Sequence, residues 1–307
     1  MTFRVAATFV IAPSPFLSDN RFMTNSEPLG TNPESRADWN SFSRANASQR
    51  WRQQSAFMGH HVTQAIVEAA QIAAEMHILD VASGTGEPAI SLARLLNGTG
   101  RVVATDISPQ PLEIARQRAQ HRSLTNIDFQ VADVHALTFP DASFDRVTSR
   151  LGVMFFSNPS RAFREIHRVL KPGGRASLLA WGSMDQPYFQ STIGTVLRVN
   201  PALTLPASGA AMFKFGAPGA FSSALRDAGF PHVEEKIQTV TWTWNGTPEE
   251  VWEYFQEVTV PFKSLFNSIP SEARKPTTDA VLDAIRSFQN DGAIHFGATV
   301  VIVNATA

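Results

Sequence analysis

The sequence predicts an α/β protein organised around a doubly wound, mostly parallel sheet. Three observations predict it. Short apolar strands alternate with amphipathic helices from His77 to Trp181, and three of the strand ends carry Asp80, Asp106 and Asp133, one strand-helix unit apart. A glycine loop, Ala82-Ser83-Gly84-Thr85-Gly86, joins the first strand to its helix.

The elements follow in order. Residues 77–81 (HILDV) form the first strand, and a helix over 87–96 follows the loop, with Pro88 in its first turn and Asn97-Gly98 stopping it. Residues 101–106 are the second strand. Ser108 caps the next helix, and Leu112, Ala115 and Ala119 line its inner face. Ile127, Phe129 and Val131 alternate in a third strand ending at Asp133. A fourth strand spans 144–149. The helix after it turns Ala162, Phe163, Ile166, Val169 and Leu170 inward, Lys171-Pro172-Gly173-Gly174 reads as a turn, and 175–181 is the fifth strand. Beyond it come a helix over 221–230, a strand over 233–244, a helix from the Thr247 cap to 258, a helix over 271–288 and a last strand over 295–304.

Composition narrows the function. The 307 residues carry 26 basic and 27 acidic side chains, a net charge of -1, so nothing marks a nucleic-acid surface. Charged residues are only 17% of the chain while Phe numbers 22, which suits a large core or a greasy pocket. The absence of Cys excludes disulfides, thiolate zinc sites and Cys nucleophiles. No apolar run reaches the ~18 residues of a membrane span. Met1 to Phe16 imitates a signal peptide weakly, its apolar run broken by Pro13 and Pro15, so a cytoplasmic location is expected. Residues 18–36 are rich in Ser, Asn, Pro and Glu, and Met23 offers a second start. Residues 1–36 are therefore expected to be a flexible extension. Over 37–76, Trp39, Phe42, Trp51, Phe57, Met58, Val62, Ile66 and Ala69 stand at helical spacing, which predicts two or three helices before the main domain, 77–307.

In a doubly wound sheet the ligand sits at the carboxyl ends of the strands. Gly84-Thr85-Gly86-Glu87-Pro88-Ala89 satisfies the dinucleotide pattern, and Asp106 stands near the distance of a ribose-binding acid, so an NAD-dependent oxidoreductase is one reading. Asp80 and Glu87 argue against it, because acids around a helix N-terminus repel a pyrophosphate. They suit a ligand with ammonium and sulfonium charges and two ribose hydroxyls, which are the features of S-adenosylmethionine. A cofactor-binding protein without catalysis is the third reading. Adjacent His60 and His61 point in different directions on a helix and no HExxH exists, so no metal is expected. No catalytic base is assigned: His60, His61, His135, Tyr188 and Arg150 are only candidates.

These motifs carry a family resemblance. Ile78 to Gly86 resembles the first motif of class I S-adenosylmethionine-dependent methyltransferases, and Val102 to Ser108 their ribose-binding motif. Ala132 to Asp145 and Arg164 to Gly174 are similar to the adenine-side and fifth-strand motifs of the quinone-biosynthesis-like (type 11) branch. The resemblance implies a Rossmann-like seven-stranded sheet whose last strand runs antiparallel, with N-terminal helices and a helical lid over 184–215 and 247–290. It implies that Ala82, Ser83, Gly84 and Gly86 line the methionine portion of S-adenosylmethionine, with Asp80 at its amino group. Asp106 would hold the ribose, Ile107 would pack on the adenine, and Asp133 with Val134 would meet the adenine edge. Arg150 and Leu151 would face the methyl donor, and Trp51 and Met58 would close over it. Asp141, Asp145 and Glu165 are expected to be structural. The implied activity is methyl transfer to a small hydrophobic or aromatic acceptor beneath a lid carrying Phe213, Phe215, Trp252, Tyr254, Phe255, Phe262 and Phe266. The missing Cys speaks against the arsenite-methylating relatives.

Overall fold

A computed structural model of the chain describes residues 57–307. The expected extension over 1–36, Trp39, Phe42, Trp51 and most of the expected N-terminal helices lie outside the described residues. Helix α1 (His60–Ala70) packs Val62, Ala65 and Ile66 inward against the sheet. Arg146 fastens its end, donating from Nε to Ala70 O at 2.8 Å.

The sheet begins with β1 (His77–Val81), buried from its second residue onward as a central parallel strand covered on both faces must be. Helix α2 (Ala89–Leu96), β2 (Arg101–Asp106), α3 (Pro109–Gln120), β3 (Ile127–Val131), β4 (Phe144–Arg150), α4 (Pro159–Val169) and β5 (Leu170–Trp181) follow. The lid stretches hold α5 (Pro187–Phe189), a π-helical turn (Gln190–Gly194), α6 (Thr195–Val199) and α7 (Ala207–Ala211). Helix α8 (Ala220–Asp227) and β6 (His232–Asn245) precede α9 (Pro248–Val258), α10 (Lys263–Asn267) and α11 (Ser271–Arg286). Strands β7 (Gln289–Asn290) and β8 (Ala293–Thr306) end the chain.

Strand order is β3-β2-β1-β4-β5-β8-β6, and β8 runs antiparallel to both its neighbours. This is the doubly wound, Rossmann-like arrangement expected, with the two-residue β7 added beside β8. The chain steps from β1 outward to β3, then returns to lay β4 on the other side of β1. A crevice opens where the order reverses.

Several boundaries differ from expectation. Strand β3 ends at Val131, which leaves Asp133 in the loop beyond it. The helix after the glycine loop starts at Ala89, so Glu87 stands ahead of it. Ser108 occupies the N-cap of α3 without a side-chain bond; instead Asp106 Oδ1 accepts the Ser108 N–H at 2.9 Å. Residues 171–174 bulge within β5 instead of turning the chain. There the β4–β5 register slips between Phe144↔Leu170 and Arg146↔Arg175, and Gly173 (φ 75°) donates its N–H to Ala307 O at 2.9 Å. Ala307, just past β8, supplies the partner that the bulge needs. Thr247 forms a full capping box with Glu250 at the start of α9, as its sequence position suggests.

Asp145 and Glu165 serve the scaffold. Asp145 accepts from the His77 N–H and from Lys171 Nζ, each at 2.8 Å, while Glu165 holds the Leu137 N–H at 2.9 Å and Arg168 at 2.8 Å. Asp141 pairs with Arg168 at 2.7 Å. Among the described residues no helix is long and apolar enough to cross a membrane, and no cluster of three metal-binding side chains exists.

Candidate functional site

A cavity of about 670 Å³ occupies the carboxyl ends of β1 to β5. Nine of the residues expected to hold a cofactor line it: Ala82, Ser83, Gly84, Asp106, Ile107, Asp133, Val134, Arg150 and Leu151. Asp80 and Gly86 do not.

Asp80 sits beneath the loop, fully buried. Thr148 Oγ1 donates to its Oδ1 at 2.6 Å, Oδ2 has no hydrogen-bond partner among the described residues, and its backbone oxygen accepts from Ser83 and Thr105 hydroxyls. Burial pushes its carboxyl up to about 7, so near neutral pH it is only partly ionised. Glu87 does line the cavity, but Arg118 Nη2 pairs with it at 3.0 Å. The acidic rim inferred from the sequence is therefore milder than the residue types suggest, since one acid is buried and another is neutralised.

The two glycines divide the work. At Gly84 (φ 53°) an added Cβ would meet nothing within 4 Å, so the position faces open cavity in a conformation favourable to glycine. At Gly86 (φ 107°) a Cβ would come within 2.6 Å of Ile90 Cδ1, so this glycine serves close packing of loop on helix.

Asp106 ties two loops together. Its Oδ2 accepts the Gly84 N–H at 2.8 Å and its Oδ1 accepts the Ser108 N–H, and the Ile107 N–H also acts on the carboxylate, which retains acceptor capacity toward the cavity. Burial raises its carboxyl above the usual range. Asp133 Oδ1 accepts the His135 backbone N–H at 2.9 Å and lies 2.6 Å from His135 Nδ1; His135 Nε2 in turn accepts the Asn158 N–H at 3.2 Å. That pair of bonds assigns the proton to Nδ1. Two residues that are not glycine, Ala82 (φ 54°) and Leu151 (φ 60°), hold left-handed backbone on the cavity wall, a strain concentrated where two loops converge. Gly152 accommodates that convergence: a Cβ there would stand 2.5 Å from Ala82 Cβ.

The far end of the cavity is apolar, lined by Trp181, Tyr188, Phe189, Met212, Trp242 and Val258. None of the seven aromatics expected on the lid reaches it. They pack into the core, Phe255 stacking on Phe262 at 5.9 Å and Trp252 meeting Phe266 edge-on at 5.4 Å. Trp181 was findable by the strand-end rule, since it terminates β5; Trp242, on a long β6, carries no such signal. Met58 is buried in the core away from the cavity wall. Of the candidate bases, His60 and His61 are exposed and line no part of this cavity, and burial pushes the Tyr188 phenol up.

Comparison with known proteins agrees with this geometry. A methyltransferase-domain family model matches residues 79–178. The ubiquinone/menaquinone biosynthesis C-methyltransferase UbiE of Methylobacterium nodulans is 32% identical over 170 residues, covering 52% of this chain and 68% of that one. Its counterpart from Rhodopseudomonas palustris is 33% identical over 177 residues, covering 54% and 70%. With the Hydrogenovibrio crunogenus enzyme of that name the identity is 38% over 111 residues, and the match spans only 44% of that relative's length. In fold, the YcgJ protein of Bacillus subtilis superposes with a TM-score of 0.54 at 20% identity, covering 80% of this chain and 98% of that one. A methyltransferase-like protein from Bacillus halodurans gives 0.52, likewise at 20% identity, covering 80% and 97%. The chain belongs to the class I S-adenosylmethionine-dependent methyltransferases of the UbiE-like type.

Proposed function

We propose that the protein transfers the methyl group of S-adenosylmethionine to a small, planar hydroxyaromatic or otherwise apolar acceptor. The observation that carries this is a single cavity with the Asp106 carboxylate at one end and an aromatic wall at the other. The residues present fit the cofactor: Gly84 leaves space beside the chain, the Asp106 carboxylate lines the cavity with acceptor capacity remaining, and Ile107 with Val134 offers apolar contact for a base. S-adenosylmethionine held there would supply an activated methyl on sulfur, the sulfur keeping the bonding pair and the acceptor's displaced proton leaving to solvent. The protein's own part is to align the two partners and exclude water, since no free side-chain base faces the apolar end among the described residues.

The carbon-methylating names of the relatives support an aromatic acceptor, as does the Trp181, Tyr188 and Trp242 wall. Action in the cytoplasm without a nucleic-acid partner belongs to the same proposal. The test is calorimetry with S-adenosylmethionine and with NADH, followed by assay of S-adenosylhomocysteine release across a panel of hydroxyaromatics. The reading expects binding of the first ligand and turnover of some acceptor. Preference for NADH would favour an oxidoreductase, and binding without turnover a non-catalytic role.

A further inference from the structure

Arg150, at the end of β4, is the single Lys or Arg lining the cavity among the described residues. Its Nη1 donates to Thr63 Oγ1 of α1 at 2.8 Å and reaches Gly59 O at 3.5 Å, both neutral groups. Its Nε is shielded from solvent and has no hydrogen-bond partner among the described residues. The acids whose fields act on it are engaged elsewhere. Glu87 is paired with Arg118, and Asp80 accepts from Thr148 while burial keeps much of it protonated near neutrality.

A guanidinium held in a low-dielectric wall beside neutral partners is costly, and the cost falls when an anion docks on it. Its planar fork matches an organic oxyanion better than any other group the cavity offers. We propose that Arg150 is an oxyanion subsite of this cavity, taking a carboxylate or phenolate oxygen of a bound small molecule, with Thr63 fixing the direction of the fork. The inference rests on the methyltransferase reading for its two sources of anion: the amino-acid carboxylate of the methyl donor, or the ionised hydroxyl of an aromatic acceptor. In the second case the guanidinium would hold the acceptor as its more nucleophilic anion, the hydroxyl proton having gone to solvent.

The experiment has two arms on the full chain. In the first, S-adenosylmethionine and its decarboxylated analogue are bound to the parent, Arg150→Lys and Arg150→Gln. In the second, 4-nitrophenol is titrated with the same proteins in the presence of S-adenosylhomocysteine, the phenolate being read by its visible absorbance. The proposal expects Arg150→Gln to lose about ten- to a hundredfold in one arm. Either S-adenosylmethionine weakens while its decarboxylated analogue does not, or the bound nitrophenol ceases to ionise more readily than it does free. Arg150→Lys should recover part of the loss. Equal behaviour of parent and Arg150→Gln in both arms overturns the subsite. If the Gln variant does not fold, the parent decides: indifference to the donor's carboxylate together with an unshifted nitrophenol also overturns it. A parent that binds neither form of the donor instead refutes the methyltransferase reading, and the nitrophenol arm still judges Arg150.

Discussion

Asp106 Oδ2 accepts the Gly84 N–H at 2.8 Å, so the acid placed to hold a ribose also sets the loop that would pass the methionine portion. Binding and loop shape are therefore linked through one carboxylate. Replacing Asp106 with Ala should weaken S-adenosylmethionine by about 1.5–3 kcal/mol, roughly ten- to a hundredfold. It should also lower the thermal midpoint, because the Gly84 and Ser108 N–H groups lose their acceptor. Calorimetry and thermal melting on the same sample check both, and unchanged affinity would remove Asp106 from the site.

Gly84 and Gly86 should respond oppositely. Gly84→Val puts a side chain into open cavity at a left-handed position, so affinity for S-adenosylmethionine should collapse with a modest stability cost. Gly86→Ala drives a Cβ against Ile90, so the loss should appear in stability first. Paired melting and binding measurements distinguish the two, and equal affinity losses in both variants would contradict this division.

Asp80 gives a pH dependence whose sign follows from burial. Its carboxyl binds a proton more tightly folded (about 7) than unfolded (3.8), so its contribution to stability is complete below the unfolded value and lost as pH rises through 7. A shift of that size corresponds to roughly 4 kcal/mol at most. Asp80→Asn stays neutral and can still accept from Thr148. Its stability relative to the parent should therefore climb between about pH 4 and pH 7 and then level off. Urea unfolding of both proteins across that range is the measurement; a constant difference would mean that Arg150 compensates the charge.

His135 bridges Asp133 and the Asn158 N–H that opens α4. His135→Ala should loosen residues 151–157 of the cavity wall and weaken S-adenosylmethionine by about fivefold, the value of one neutral hydrogen bond. Hydrogen exchange at Ser157 and Asn158 should rise in parallel. Unaltered exchange there would show that the wall stands without this bridge.

Much of the core sheet was legible because its signals are local. Strand-helix alternation, the acid at each strand end and the glycine loop lie within short windows, and together with the family resemblance their motifs carry they point to nine residues that line the cavity. Asp80 lies under the loop and not on the cavity wall, and residue type alone does not reveal which side of the loop a charge faces; Thr148, far along the chain, meets it there by donating to Oδ1. The lid was harder. Phe255 and Phe262 look the same in sequence whether they meet a ligand or each other, whereas Trp242 reaches the cavity only through the long β6–β8 pairing. The bulge at 171–174 depends on the last residue of the chain, Ala307, and so escapes any local pattern.

Gly152 lets the loop after β4 press on Ala82 of the loop after β1, with no room for even one methyl between them. Those loops bear Leu151, next to Arg150 at the end of β4, on one side and Ser83 and Gly84 on the other. Both loops wall the same cavity, so a side chain added at Gly152 should disturb the backbone around Ala82 and Leu151 together, and with it the shape of the donor side as a whole.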